Sequence, residues 1–292
     1  MISERPTAPL PISAVILTFN SAASIRRTLS ALTQVAGEVL VVDSFSTDDT
    51  KAICESLGCT VVQRPFVHYA DQRNWAIDTL PFRFPWQLHV DADEELTPEL
   101  VRAIQALDLD ADDLAGYMIG RKIVFMGQVL RFGSIAKTWH FRLFRTGRGR
   151  CENRLYDQHF VAMGAVGRID AFMLDHQEDT ISEWTARHNR WSDLEADELA
   201  SRSDVDRSQG QVKAAFNRNA IERRRFLKKG YYGLPLFWRP LVYFLYRYFA
   251  CLGFLDGKAG LIYHVLQGFW FRFLVDTKIL ERQNARHTAP SR

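Results

Sequence analysis

The stretch that decides the fold is Trp86-Gln87-Leu88-His89-Val90-Asp91-Ala92-Asp93-Glu94-Glu95, an alternating segment that stops abruptly in a run of acids. Residues 86–90 read as a β-strand. In an open α/β sheet, ligands bind at the carboxyl ends of the strands. Asp91 and Asp93 have no base adjacent to them in sequence and repel one another. A divalent cation relieves that repulsion, and oxygen-only ligands suit Mg²⁺ or Mn²⁺. Magnesium is held by few carboxylates together with substrate phosphates, so the pattern points to a diphosphate ligand. A lone Asp-x-Asp in a loop is an ordinary solvated turn. This one gains weight from its place at the end of the fourth strand in a series.

The first strand of that series is the apolar run at residues 13–19, continuous enough to be buried on both faces. Asn20 and Ser21 offer N-caps to a helix whose apolar stripe is Ile25, Leu29 and Leu32. Residues 38–43 form the second strand. The polar loop 44–50 caps a helix through Ile53 and Leu57, Gly58 stops it, and residues 60–62 form the third strand. A helix over 69–79 leads to the strand at 86–90, and Thr97-Pro98-Glu99 opens another helix with proline in its first turn. Strands and helices alternating at this spacing predict right-handed βαβ units and a parallel sheet. Further strands are expected at 116–124 and 138–145, and a polar helix at 181–199. The turn after the first strand, residues 18–23, contains no glycine, so the dinucleotide-binding fingerprint is absent. Gly257-Lys258 lacks both the upstream glycine and the following hydroxyl of a P-loop.

The chain has 292 residues, 47% hydrophobic and 24% charged, which excludes disordered, collagenous and disulfide-stapled classes. The net charge of +3 conceals a split. Residues 1–204 carry 21 Lys and Arg against 29 Asp and Glu, whereas residues 205–292 carry 16 against 5. We therefore expect a catalytic domain over 1–204 and a basic extension over 205–292 that meets something anionic. Residues 226–273 hold 16 of the 36 aromatics, interrupted by Arg239, Arg247, Asp256, Lys258 and Arg272. The longest charge-free run there, 259–271, is 13 residues, short of the ~20 a spanning helix needs. The expectation is helices lying in a membrane interface, with arginines reaching lipid phosphates. The competing reading is a packed helical subdomain or a homo-oligomer contact. Residues 218–229 carry six Lys or Arg against Glu222. Because the cluster continues into apolar aromatics, an anionic membrane surface or a lipid-linked diphosphate is the expected partner, and nucleic acid is not. The four cysteines form no metal pattern and are expected as free thiols in a reducing compartment. Residues 1–11 show no charged-then-apolar signal, so a cytoplasmic protein, peripheral on the inner face of the plasma (inner) membrane, is expected.

Three motifs in order carry a family resemblance: Pro11-Ile12-Ser13-Ala14-Val15-Ile16-Leu17-Thr18-Phe19-Asn20, Val41-Val42-Asp43-Ser44-Phe45-Ser46-Thr47-Asp48-Asp49-Thr50, and Asp91-Ala92-Asp93-Glu94. Together they resemble the inverting glycosyltransferases of family 2. The resemblance implies a GT-A fold, an α/β architecture with a Rossmann-like, mainly parallel sheet, here followed by a helical, aromatic-rich C-terminal extension. Gln72-Arg73-Asn74-Trp75-Ala76 and Gly253-Phe254-Leu255-Asp256-Gly257-Lys258 are similar to the subgroup of lipopolysaccharide-core β-1,4-glucosyltransferases and related envelope-polysaccharide enzymes. The implied donor is a nucleotide sugar, UDP-linked, and the implied acceptor is a lipopolysaccharide, exopolysaccharide or lipid-linked glycan.

By that resemblance Thr18, Phe19 and Asn20 line a uridine pocket, Asp43 accepts a hydrogen bond from the base or ribose, and Ser44 lies beside it. Asp91 would contact ribose or metal-bound water. Asp93 would hold Mg²⁺ or Mn²⁺, which offsets charge on the departing diphosphate. Arg73 would add a cationic donor there, unless it is a surface helix arginine. Inversion also needs a base for the acceptor hydroxyl. The subgroup's His-Glu pair corresponds here to Tyr156-Asp157, which makes Asp157 the choice, with Glu152 and Glu94 as rivals. His176 matches a histidine after the next strand, with either a site role or a structural one. Two other classes compete. A nucleotidyltransferase would carry a glycine-rich phosphate loop with Lys or Arg, absent after Leu17, and a non-catalytic GT-A-like subunit would not need both Asp91 and Asp93.

Overall fold

The computed structural model describes residues 10–110, 113–135, 138–153, 158–201 and 230–288. They fall into two compact units. The first comprises Met1–Arg121, Trp139–Glu152 and His159–His176; the second comprises Lys122–Thr138, Asn153–Gln158 and Gln177–Arg292. The units are thus interleaved along the chain. The boundary expected at 204/205 and the basic cluster at 218–229 lie outside the described residues.

The first unit begins with β1 (Leu10–Thr18), α1 (Ile25–Leu32), β2 (Ala36–Asp43), α2 (Thr50–Ser56), β3 (Thr60–Gln63), α3 (Tyr69–Thr79) and β4 (Trp86–Asp91). The strand order β3-β2-β1-β4 is parallel throughout, as successive βαβ units require. The side chains of β1 serve two cores by their period-2 alternation. Ile12, Ala14 and Ile16 pack with Ile25, Leu29 and Leu32 of α1, while Val15 packs on the other face with Val42, Ala76 and Leu80. Each such fully buried aliphatic side chain contributes about 1.5–3 kcal/mol, which is why the continuous apolar run at 13–19 reads as a strand covered on both faces.

Next come β5 (Glu94–Leu96), α4 (Pro98–Gln105), β6 (Gly116–Phe125), β7 (Gln128–Val129), β8 (Thr138–Arg145), β9 (Gly149–Cys151), β10 (Phe160–Ala162) and β11 (Val166–Gln177). The sheet continues from β4 through β8, β6, β11 and β5. β8 runs antiparallel to β4, with Leu88 opposite Leu143, and β11 runs antiparallel to β5, with Glu94 opposite Asp175. α4 starts as the sequence predicts: Pro98 is in the first turn and the Leu100 amide donates to Thr97 Oγ1 at 3.3 Å. Ser24, at the cap position of α1, makes no side-chain bond there, because the Asn20 side chain bonds to the loop after β2 instead. The polar loop does cap α2: Asp49 makes no side-chain bond, but Asp48 Oδ1 accepts from the Thr50 amide at 3.0 Å.

In the second unit, α5 (Ile181–Ser201) packs on the helix Phe271–Thr288 through Ala196, Phe271, Val275 and Ile279. Lys278 pairs with Asp193, and Arg282 with Asp197, each at 2.7 Å. The helix Trp238–Leu245 continues as a π-helical turn to Ala250, and the chain then bends by 72° into the segment Gly253–Ala285. Among the described residues no single helix is long and apolar enough to cross a membrane. The loop 131–133 is tied to these helices. Asp256 accepts from the Arg131 and Phe132 amides, each at 2.9 Å, and Arg247 Nε donates to Gly133 O at 2.9 Å. One expectation is corrected here. Arg239, Arg247 and Arg272 do not reach outward. Arg239 is paired with Asp276, Arg247 is bonded to Gly133, and Arg272 meets Glu195 at 3.0 Å. The buried carboxylates and carbonyls of this unit need these cations, and that need draws the arginines inward.

Candidate active site

Parallel pairing brings the carboxyl ends of β1, β2 and β4 together. Thr18 lies opposite Asp43, and Leu17 lies opposite Asp91. The loops that follow β1 and β2 are laced to one another. Thr47 N donates to Asn20 Oδ1 at 2.8 Å, Asn20 N to Ser46 Oγ at 2.9 Å, Ser21 N to Thr50 Oγ1 at 2.7 Å, and Ala22 N to Asp48 Oδ2 at 3.0 Å. Asn20 is therefore a bridging residue rather than a helix cap, and it sits at φ +49°, a region that asparagine enters more readily than most residues.

Asp43 is fully buried. Burial works to raise its carboxyl, but bonds from the Ser46 hydroxyl and amide, Gln63 Nε2 and Thr18 Oγ1 outweigh that and hold it below the ordinary carboxylate value. Thr18 Oγ1 lies 2.9 Å from Asp43 Oδ1. Ser44 Oγ accepts from Gln72 Nε2 at 3.3 Å, which connects the β2 end to α3. Phe19 is 60% exposed. On the neighbouring loop Phe45 is also exposed and is held at φ +59°, a strained conformation for an aromatic residue. Sequence reading missed Phe45. Its only signal is its place between Asp43 and Ser46, whose mutual bonds close the turn.

The acidic pair is not symmetrical. Asp91 Oδ1 receives Arg73 Nη2 from α3 at 2.8 Å, and Asp91 Oδ2 receives Arg142 Nη2 from β8 at 2.8 Å. Burial opposes ionisation of Asp91, but the Arg142 and Arg73 charges prevail and keep its carboxyl far below the usual range. The Asp91 carboxylate is thus neutralised by bases remote in sequence, which corrects the view of two uncompensated acids. The same Arg142 Nη2 donates to Glu94 Oε1 at 2.9 Å, and Arg121 pairs with Asp175 at 3.2 Å. Asp93 is different. Burial first, and then the charges of Asp175, Asp91 and Glu94, push its carboxyl well above the ordinary value. Its ionised form is the one that this cluster of acids most opposes.

Arg73 is buried, with its guanidinium 5.3 Å from the Phe160 ring centre, so it is no surface helix arginine. Arg142 was not legible as a site residue, since it lies in an ordinary strand pattern. Its Nη1 is buried and makes no hydrogen bond among the described residues, leaving a spare donor beside Asp91. His176 shares a 2.8 Å bond with Glu95, and its amide donates to Asp93 O at 3.0 Å, so it helps to set the Asp93 backbone. Glu94 and Glu152 are both buried and already engaged. Glu94 accepts from Arg142 and from the Asp91 amide, and Glu152 accepts from the His159 amide at 2.9 Å. Asp157 lies outside the described residues. Thr18, Asn20, Asp43, Ser44, Arg73, Asp91 and Asp93 all belong to one unit, at or beside adjacent strand ends.

The family model for glycosyl transferase family 2 matches residues 13–172, more than half of the chain. The chain belongs to glycosyltransferase family 2. This family 2 chain is 28% identical, over 94% of its length and 93% of the relative's, to the lipopolysaccharide core biosynthesis glycosyltransferase LpsC of Rhizobium meliloti. It is 47% identical to an uncharacterized glycosyltransferase of Rickettsia bellii over 94 residues, 32% of this chain and 31% of the relative. Among solved structures, S. aureus TarS 1–349 is 14% identical, with 96% of this chain and 93% of that chain covered and a TM-score of 0.40. Glucosyl-3-phosphoglycerate synthase from Mycobacterium tuberculosis, in complex with Mn²⁺, UDP and glucosyl-3-phosphoglycerate, is 20% identical over 38% of this chain and 43% of that chain, with a TM-score of 0.30.

Proposed function

We propose that this glycosyltransferase moves a sugar from a UDP-linked donor to a lipopolysaccharide-core or lipid-linked glycan acceptor, with inversion, at the strand ends of its first unit. The near full-length similarity to a lipopolysaccharide core biosynthesis glycosyltransferase supports the acceptor class. The observation that carries the reaction is the asymmetry of the acidic pair: Asp91 clamped by two arginines, and Asp93 left uncompensated among acids.

Among the described residues no group of three or more His, Cys, Asp or Glu side chains converges as a metal cage, so a divalent cation would depend on Asp93 and on the donor itself. Asp93 would hold Mg²⁺ or Mn²⁺, and the donor's phosphates would complete its ligands, the arrangement magnesium favours. When bound, the ion supplies Lewis-acid neutralisation of the leaving diphosphate. The chain's own groups do the rest. Phe19 and Phe45 offer exposed rings to the base. Asp43, kept ionised by four donors, accepts from base or ribose, with Thr18, Asn20 and Ser44 shaping that pocket. Arg142 Nη1 is an unspent donor for developing negative charge, with Arg73 beside it. Asp157 takes the acceptor proton; its rivals Glu94 and Glu152 are buried and committed to structural bonds. The enzyme would work at the inner face of the plasma membrane, where lipid-linked acceptors are presented.

Asp157→Asn tests the reading. Transfer should be abolished while calorimetric donor binding stays within a few-fold, because a base acts on the acceptor. Loss of donor binding together with activity would make Asp157 donor-facing, and retained transfer would place the base elsewhere.

A further inference from the structure

The helix Trp238–Leu245 and its π-helical continuation to Ala250 are built inside out relative to a soluble helix. Trp238, Leu241, Val242, Leu245, Tyr246 and Phe249 recur at i, i+3, i+4, i+7, i+8 and i+11 and form one stripe, and every one of them is exposed. Trp238 is 66% exposed and Phe249 55%. The opposite face carries the charges, since Arg239 and Arg247 are only 4% and 3% exposed. An amphipathic helix in water turns its apolar stripe inward and its charges out. At the 72° bend the apolar surface continues through Leu252, Phe254 and Leu255, all exposed.

Four of the five charges that interrupt this segment in sequence are absorbed inside the unit. Arg239 is paired with Asp276, Arg247 with the Gly133 carbonyl, Asp256 with the Arg131 and Phe132 amides, and Arg272 with Glu195. Lys258 alone stays exposed. Ionisable groups that face inward and pair with one another behind an apolar exterior are the arrangement that a lipid environment selects. The six basic residues at 218–229 end nine positions before Trp238 in sequence and complement anionic headgroups.

We propose that this outward stripe, together with the bend at Leu252–Leu255, inserts into the surface of an anionic lipid bilayer. Apolar contact, rather than the arginines of the segment, supplies the salt-resistant part of the binding. Among the described residues no single helix is long and apolar enough to cross a membrane, and Trp238 and Tyr246 suit the headgroup boundary of one leaflet. The inference stands on surface chemistry and is independent of the transfer reaction.

The test is flotation of the full chain with vesicles of phosphatidylcholine alone and of phosphatidylcholine mixed with phosphatidylglycerol, at low and high salt. Co-flotation with the mixed vesicles should weaken but persist at high salt, because insertion is not screened. A Leu245→Glu, Phe249→Glu double variant should lose roughly tenfold or more of that binding, with unchanged circular dichroism and unchanged transfer to a soluble acceptor. Should the double variant misfold, bromine-labelled lipid decides: it should quench the fluorescence difference between the native chain and Trp238→Phe. Failure to float with either vesicle, binding abolished by salt, or absence of quenching would overturn the proposal. So would a stable dimer in solution that the double variant dissociates, which would assign the face to a second copy. Vesicle binding is read without catalysis, so its failure is separable from failure of the transfer assay.

Discussion

Arg142 Nη2 meets Asp91 Oδ2 at 2.8 Å, a contact between the antiparallel strand β8 and the carboxyl end of β4. With Arg73 on the other oxygen, it turns Asp91 from a free acid into the centre of an arginine clamp. Two guanidiniums are thereby held at the strand ends, one with a donor to spare.

Removal of Arg142 strands the buried Glu94 carboxylate and weakens the clamp on the part-exposed Asp91. Arg142→Met leaves Glu94 without its closest cation and Asp91 with half of its compensation, which should destabilise the fold by about 3–5 kcal/mol. Arg142→Lys keeps the charge but loses the fork and should fall between the two. Urea midpoints for the three chains check the order; equal midpoints for Met and Arg would refute the clamp.

Asp93→Asn should lower turnover at least a hundredfold, roughly 3 kcal/mol of transition-state stabilisation. It should not lower the melting temperature of the metal-free chain, since it replaces a carboxyl whose ionised form burial and the charges of Asp175, Asp91 and Glu94 oppose. Mn²⁺ should raise the melting temperature of the native chain and not that of the variant. Near-normal metal-dependent turnover in Asp93→Asn would sink the assignment.

His188 reports on pH. Burial, aided by Arg187 and Arg272, holds its imidazole down at about 4, although its Nδ1 bonds to Trp184 O at 2.8 Å. The unfolded chain protonates near 6.5, so between pH 6.5 and 4 the unfolded state binds a proton that the folded state refuses. Stability is therefore full above 6.5 and lost as the pH falls through that window, by up to about 1.4 kcal/mol per unit. Urea unfolding at pH 7 and pH 5 should show a smaller loss in His188→Phe than in the native chain; identical losses would dismiss the histidine as the cause.

Two glycines in the C-terminal helices should respond in opposite directions to alanine. A Cβ on Gly253 would lie 2.5 Å from His264 Nε2 and 2.9 Å from the Arg247 carbonyl, so Gly253→Ala must displace a buried ring or backbone and should destabilise by about 1–3 kcal/mol. A Cβ on Gly268 meets nothing within 4 Å, so Gly268→Ala should stabilise by about 0.5–1 kcal/mol through helix entropy. Thermal melts of both variants give the signs.

The amino-acid sequence by itself determined the βαβ series, the strand ends that carry Thr18, Asp43 and Asp91, the Thr97-Pro98 helix start and the helical character of the aromatic C-terminal segment, whose 72° bend came only with the fold. These follow from local periodicity and capping, which short segments carry whole. Only the tertiary structure decided which charges meet. Arg142 lies 51 residues from Asp91, and Arg239 lies 37 from Asp276. The antiparallel return of β8 beside β4 and the helix packing of the second unit bring them together, and no window of sequence encodes that approach. Hence Asp91 and Asp93 look alike in sequence and differ in the fold, and the arginines that interrupt the apolar run in sequence lie behind the apolar surface in the fold. Hydrophobic periodicity reports which face of an element is apolar; ion pairing depends on which distant element is folded against it.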